Sequence, residues 1–214
     1  MIIPKLHYIT QGNTSKEHLE NIQKACTSGI ELVRLGIDTI SDKKFLKLAK
    51  EAREITAHFQ TRLIITDKYN IAKEVAADGI YLERETSYPS KVRKHLYSWQ
   101  SIGAAANTLQ TCQLLLDEDV DYIVLAPFSS LATKSNPAQE LDVKGFADIT
   151  KALHSETPII GMGRISIDEA TALLETGISG IAVSDEITKN FNSIRTYNQL
   201  LNASSTAEQR HTFK

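Results

Sequence analysis

RLIITDKYNIAKEVAADGIYL, residues 62–82, reads as one strand, one helix and a second strand. Its ends, RLIIT (62–66) and GIYL (79–82), are short apolar runs, while KYNIAKEV between them has helical patterning and follows Asp67, a helix-start residue. Strands joined through a helix pair in parallel, because the crossover returns the chain in the same direction. The same alternation extends outward on both sides. LHYIT (6–10) and IELVRL (30–35) precede the unit, and SIGAA (101–105), DYIVLA (121–126), TPIIGM (157–162) and GIAVS (180–184) follow it, which makes eight strands.

Between the strands, apolar residues recur at three and four spacing, as in Leu19, Ile22, Cys26 and in Phe45, Leu46, Leu48, Ala49, Ala52. These are amphipathic helices that pack on a sheet. Ser41 before DKKF and Ser166 with Glu169 three residues later, a capping box, mark further helix starts. Parallel strands covered on both faces read as nearly continuous apolar runs, and eight such units favour a closed (β/α)8 barrel over an open doubly wound sheet. The expectation is one barrel domain over residues 1–201 and a polar, flexible tail over 202–214. PFSSLATKSNPAQEL (127–141), after the sixth strand, has two prolines and weak periodicity and is expected to be a long loop on the C-terminal face, either a binding loop or lid or a merely mobile connection.

Composition narrows the function classes. The 214 residues, 42% hydrophobic, suffice for one sizeable core. The 24 basic and 26 acidic residues leave a formal charge of −2 without a block of like charge, so nucleic acid and membrane surfaces are poor partners. A small-molecule substrate is the expected partner, and a homodimer is an open expectation for the assembly. Cys26 and Cys112 sit in helical stretches and form no metal or redox motif, which fits a reducing cytoplasm. MIIPKLHYIT lacks the apolar run of a signal peptide and the length of a membrane span.

The order of several segments resembles the thiamine phosphate synthase and thiazole tautomerase superfamily over about residues 5–201. LHYIT, LIITDKYNIAKEVAADGIYL, DYIVLAPFSSLATK, TPIIGMGRI and ETGISGIAVSDEI carry the resemblance. It implies coupling of an aminopyrimidine diphosphate to a thiazole phosphate. Mg2+ would be held by acidic groups, and cations and N–H donors would surround the departing diphosphate, where charge grows in the transition state.

Many positions that the resemblance marks as functional carry other residues. After strand two, Arg34, Gly36 and Asp38 stand where the family has Gln, Arg and Lys, so the main diphosphate cations are missing and Asp38 would repel a phosphate. After strand three, Thr66 and Asp67 replace an Asn-Asp pair; Asp67 is the metal candidate, although an N-cap role alone would account for it. At strand four, Tyr81, Leu82 and Glu83 replace His-Leu-Gly, and Thr86 replaces the following acid; Glu83 is a substitute carboxylate. Ala105 stands at a serine position, and Asn107 stands where the tautomerases have histidine. Asn107 cannot shuttle protons near neutrality.

Thr133 and Lys134 match the family's Thr-Lys and are candidates for diphosphate binding. At the phosphate end, Gly163 remains, Arg164 replaces a glycine, and Ser184, Asp185 and Glu186 stand where small uncharged residues are usual.

Three readings follow. In the first, a divergent synthase keeps Asp67, Thr133 and Lys134 and compensates with Arg34 and Arg164. In the second, the barrel is repurposed, by evolution or engineering, with Asp185, Glu83 or Asp38 as a desolvated general base, or with Lys68 or Lys134 for carbonyl chemistry. In the third, the barrel binds a small molecule without catalysis.

Overall fold

The computed structural model describes residues 2–83, 88–129 and 140–210. Eight parallel strands close into a barrel in sequence order, with β8 pairing back to β1. They are β1 (Leu6–Ile9), β2 (Leu32–Leu35), β3 (Arg62–Thr66), β4 (Gly79–Leu82), β5 (Ser101–Ala106), β6 (Tyr122–Phe128), β7 (Ile159–Gly163) and β8 (Gly180–Val183). The helices between them are α1 (Ser15–Thr27), α2 (Asp42–His58), α3 (Tyr69–Glu74), α4 (Pro89–Arg93), α5 (Leu109–Asp117), α6 (Val143–Leu153) and α7 (Ile167–Leu174). A short α8 (Asp185–Lys189) follows β8, and α9 (Ser193–Arg210) continues into the segment expected to be a tail, as far as Arg210. Among the described residues no helix is long and apolar enough to cross a membrane. Cys26 and Cys112 are free and buried.

Strand alternation divides the apolar residues into two layers. Leu32, Ile64, Tyr81, Tyr122, Val124, Ile160 and Ala182 fill the barrel, whereas Val33, Leu63, Ile65 and Ile80 face outward onto helix residues such as Ile22, Phe45, Leu48 and Phe146. At the N-terminal face the same device occurs twice. Asp78, just before β4, accepts from Arg53 of α2 at 2.6 Å and from the Leu63 N–H at 2.8 Å. Asp121, just before β6, accepts from Arg93 of α4 at 2.6 Å and from the Ile102 N–H at 2.7 Å. Each carboxylate fastens a helix to the neighbouring strand.

Two expected helix starts differ from expectation. Asp67 does not cap α3: its φ is 56°, and the helix begins at Tyr69. Its carboxylate accepts instead from the Glu83 N–H at 2.9 Å, which ties the ends of β3 and β4 together. Ser41 occupies the N-cap position of α2, but its side chain makes no capping bond. The capping box of α7 is complete, with Ser166 accepting from the Glu169 N–H and Glu169 accepting from the Ser166 N–H. Ser166→Ala is expected to cost about 1 kcal/mol and lower the thermal midpoint by about 2–4 °C, read by calorimetry.

Candidate functional site

The C-terminal ends of the strands form the mouth, where barrel enzymes place their chemistry. On its β7–β8 side lies a cavity of about 360 Å³ lined by Gly163, Arg164, Ser184, Asp185, Glu186 and Lys189. Gly163 has φ 153°, and a Cβ there would lie 2.3 Å from the Phe128 carbonyl oxygen, so close backbone approach between β6 and β7 demands glycine. The Ser184 hydroxyl donates to the Ile9 carbonyl at 2.9 Å and fixes the β8 end against β1. Arg164 is exposed and pairs with Glu140 at 3.3 Å. The Gln11 side-chain amide donates to Asp185, whose carboxylate is thereby drawn toward the β1 loop.

Around the β2–β4 side the mouth is acidic. Asp67 and Glu83 stand at adjacent strand ends, joined through the Glu83 N–H, and Thr66 is half-buried beside them. Asp38, Asp42, Asp67 and Lys68 line a shallow cavity of about 280 Å³. No cluster of three or more His, Cys, Asp or Glu able to hold a metal occurs among the described residues. Mg2+ needs fewer protein ligands than that: one or two carboxylates suffice when substrate phosphates and water complete its shell. Asp67 and Glu83 fit such a partial site.

The rim therefore gathers Thr66, Asp67, Glu83, Gly163, Arg164, Ser184 and Asp185, with Asp38 beyond β2 and half-buried Asn107 just beyond β5. Arg34 is not a rim residue. Only 5% exposed, it points into the barrel, where Nη2 donates to Met162 Sδ at 3.0 Å and the guanidinium lies 4.0 Å from the centroid of the Tyr81 ring. Thr133 and Lys134, with Thr86, lie outside the described residues. The feet of their loop are fixed, since the Leu141 N–H donates to the Pro127 carbonyl at 2.8 Å and the Ser129 N–H to the Leu141 carbonyl at 3.0 Å.

Asp38, Glu83 and Asp185 are all exposed, whereas the general-base reading asks for a carboxylate in an apolar pocket. Lys68, the other candidate for carbonyl chemistry beside Lys134, pairs with Asp42 at 2.7 Å. Sequence reasoning missed Gln11, Glu140 and Met162. Nothing local to the chain signals their partners, which lie 174, 24 and 128 residues away.

Residues 6–187 match the family model described as thiamine monophosphate synthase, which spans most of the chain. The chain belongs to the thiamine monophosphate synthase family. The thiamine-phosphate synthase of Flavobacterium psychrophilum is 34% identical over 200 residues, covering 92% of this chain and 97% of that protein. That of Flavobacterium johnsoniae is 31% identical over 189 residues, covering 87% and 89%. Among solved structures, a thiamine phosphate pyrophosphorylase from Pyrococcus furiosus superposes with a TM-score of 0.78 at 22% identity, covering 92% of this chain and 96% of that one. This last likeness bears on the barrel alone.

Proposed function

We propose that the chain is a transferase of the thiamine-phosphate-synthase type with a remodelled mouth, coupling a thiazole phosphate to an aminopyrimidine carried on diphosphate. The observation that carries this reading is the cavity between the ends of β7 and β8, where the Gly163 backbone, Arg164 and Lys189 offer donors and cations beside the carboxylates of Asp185 and Glu186, at a size suited to a phosphorylated ring. Arg164 takes over charge that glycine N–H groups alone would not supply. Gln11 restrains Asp185, which limits its repulsion of a bound phosphate. Across the mouth, Asp67 and Glu83 would hold Mg2+, whose role when bound is to offset charge on the departing diphosphate. Lys134, on the loop after β6, would contact that diphosphate.

A second reading, a barrel that binds the phosphorylated ligand without turning it over, is favoured by one observation. Asp38 is exposed at the β2 end, while Arg34 is buried against Tyr81, so the described residues supply no cation to the mouth from β2. Pyrophosphate release from the two substrates, with and without Mg2+, separates the readings. The transferase gives Mg2+-dependent release that falls about 10- to 100-fold in Lys134→Ala. Saturable binding of thiazole phosphate with no release under either condition selects the binding barrel.

A further inference from the structure

Beneath the mouth, the barrel interior holds a positive charge that no described residue neutralises. Among the described residues the Nη1 of Arg34 and the hydroxyls of Tyr81 and Tyr122 are buried without a well-formed hydrogen bond, and the one polar neighbour of the guanidinium among the two phenols, Tyr81, leaves its own O–H free to donate. The guanidinium is within electrostatic reach of both phenols and of His7. Its contacts are a ring face and a thioether, and a thioether is a weak acceptor for a charged donor. Burying a cation without a counter-charge is among the costliest arrangements a fold can contain.

Arg34 can only donate, and each phenol can donate as well, so the complement of the three is small, rich in acceptors and negative. The location permits delivery from above. Ile9, Thr66, Ala105 and Met162 are half-buried at the mouth end of their strands, and the unbranched Met162 side chain can turn aside without backbone movement.

We propose that Arg34, Tyr81 and Tyr122 form a receptor for a small anionic group at the floor of the mouth, with Met162 occupying the guanidinium until that group arrives. The anion is either a carboxylate on the barrel's ligand or a free monovalent ion. The proposal does not depend on the transferase reading, since its probes require no turnover.

The test is calorimetric titration and thermal unfolding of the full chain in sodium formate against sodium gluconate at equal ionic strength. With formate at tenfold its dissociation constant, the midpoint rises by about 3–6 °C over the gluconate control. Arg34→Met exchanges an unpaired buried charge for an apolar side chain, so it melts no lower than the unsubstituted chain in gluconate and shows no formate-specific shift. Tyr122→Phe keeps the ring, removes the hydroxyl and weakens formate binding about fivefold. Nicotinate then separates the sources. Competition with formate identifies a carboxylate on a ring-sized ligand, whereas binding of formate and chloride alone identifies a free ion in an enclosed cell. The proposal is overturned if the unsubstituted chain responds equally to formate and gluconate, or if the formate shift persists in Arg34→Met. Should that variant fail to fold, an undiminished response in Tyr122→Phe overturns it.

Discussion

Gly103→Ala is expected to destabilise the barrel by about 3 kcal/mol or more, a large part of the roughly 5–15 kcal/mol that holds a domain folded. A Cβ built on Gly103 would lie 2.1 Å from Cζ and 2.2 Å from Cε2 of Tyr122. The obstacle is a rigid ring rather than the loose end of a long side chain. Tyr122 is 1% exposed and has the His7 ring set edge-on against it at 5.5 Å between centroids, so it has nowhere to retreat. Glycine on β5 thus makes room for a large side chain from β6 inside the barrel, the complementarity of small and large that a closed barrel requires. Urea unfolding of Gly103→Ala, of Tyr122→Ala and of the double variant checks the cause. The double variant should be more stable than the sum of the single losses predicts, by about 1–3 kcal/mol, because the new methyl enters the space the ring vacates. Strict additivity would show that Gly103 is required for a reason other than Tyr122.

That pairing also marks how far the sequence could be read. The strands were legible because each is a short apolar run, and the eight runs order themselves as the barrel does. Register was not legible: SIGAA does not announce that its glycine lies beside Tyr122 rather than beside a smaller residue. The alternation of Leu32, Val33 and Arg34 places Arg34 on the inner face with Leu32, yet sequence could not say whether the arginine would climb to the rim or remain below it. It remains below because Tyr81 and Met162 receive it there. Asp67 was legible as an acid at the end of β3, but the loss of its helix-capping role was not, since the bond to the Glu83 N–H that it makes instead depends on a neighbouring strand. The exposure of Asp38, Glu83 and Asp185 likewise depends on what does not cover them, which no local pattern records.

The largest pH effect is expected from a residue outside the mouth. His7 is 1% exposed, donates through Nε2 to the Pro4 carbonyl at 2.9 Å, and has its pKa lowered from 6.5 to about 3. Burial is the main cause; the Pro4 bond opposes it, and the positive charges of Arg34 and Arg62 add to it. Between pH 6.5 and about 3, the unfolded chain binds a proton at this histidine that the folded chain refuses. Stability is therefore unaffected by His7 above pH 6.5, falls as the solution is acidified below it, and stops falling below about pH 3. At pH 4.5 the loss from this one group is about 3 kcal/mol. His18, whose pKa burial also lowers, adds to the loss in the same direction. His7→Phe keeps a ring against Tyr122 but leaves the Pro4 carbonyl without its donor, so it should cost about 1–3 kcal/mol at pH 7.5. Its stability should then decline less steeply than that of the unsubstituted chain between pH 7 and 4.5, and the two urea-unfolding curves of stability against pH should converge as the solution is acidified. Parallel curves would mean that His7 takes up its proton in the folded barrel as readily as in water, and would place a compensating negative charge beside Arg34.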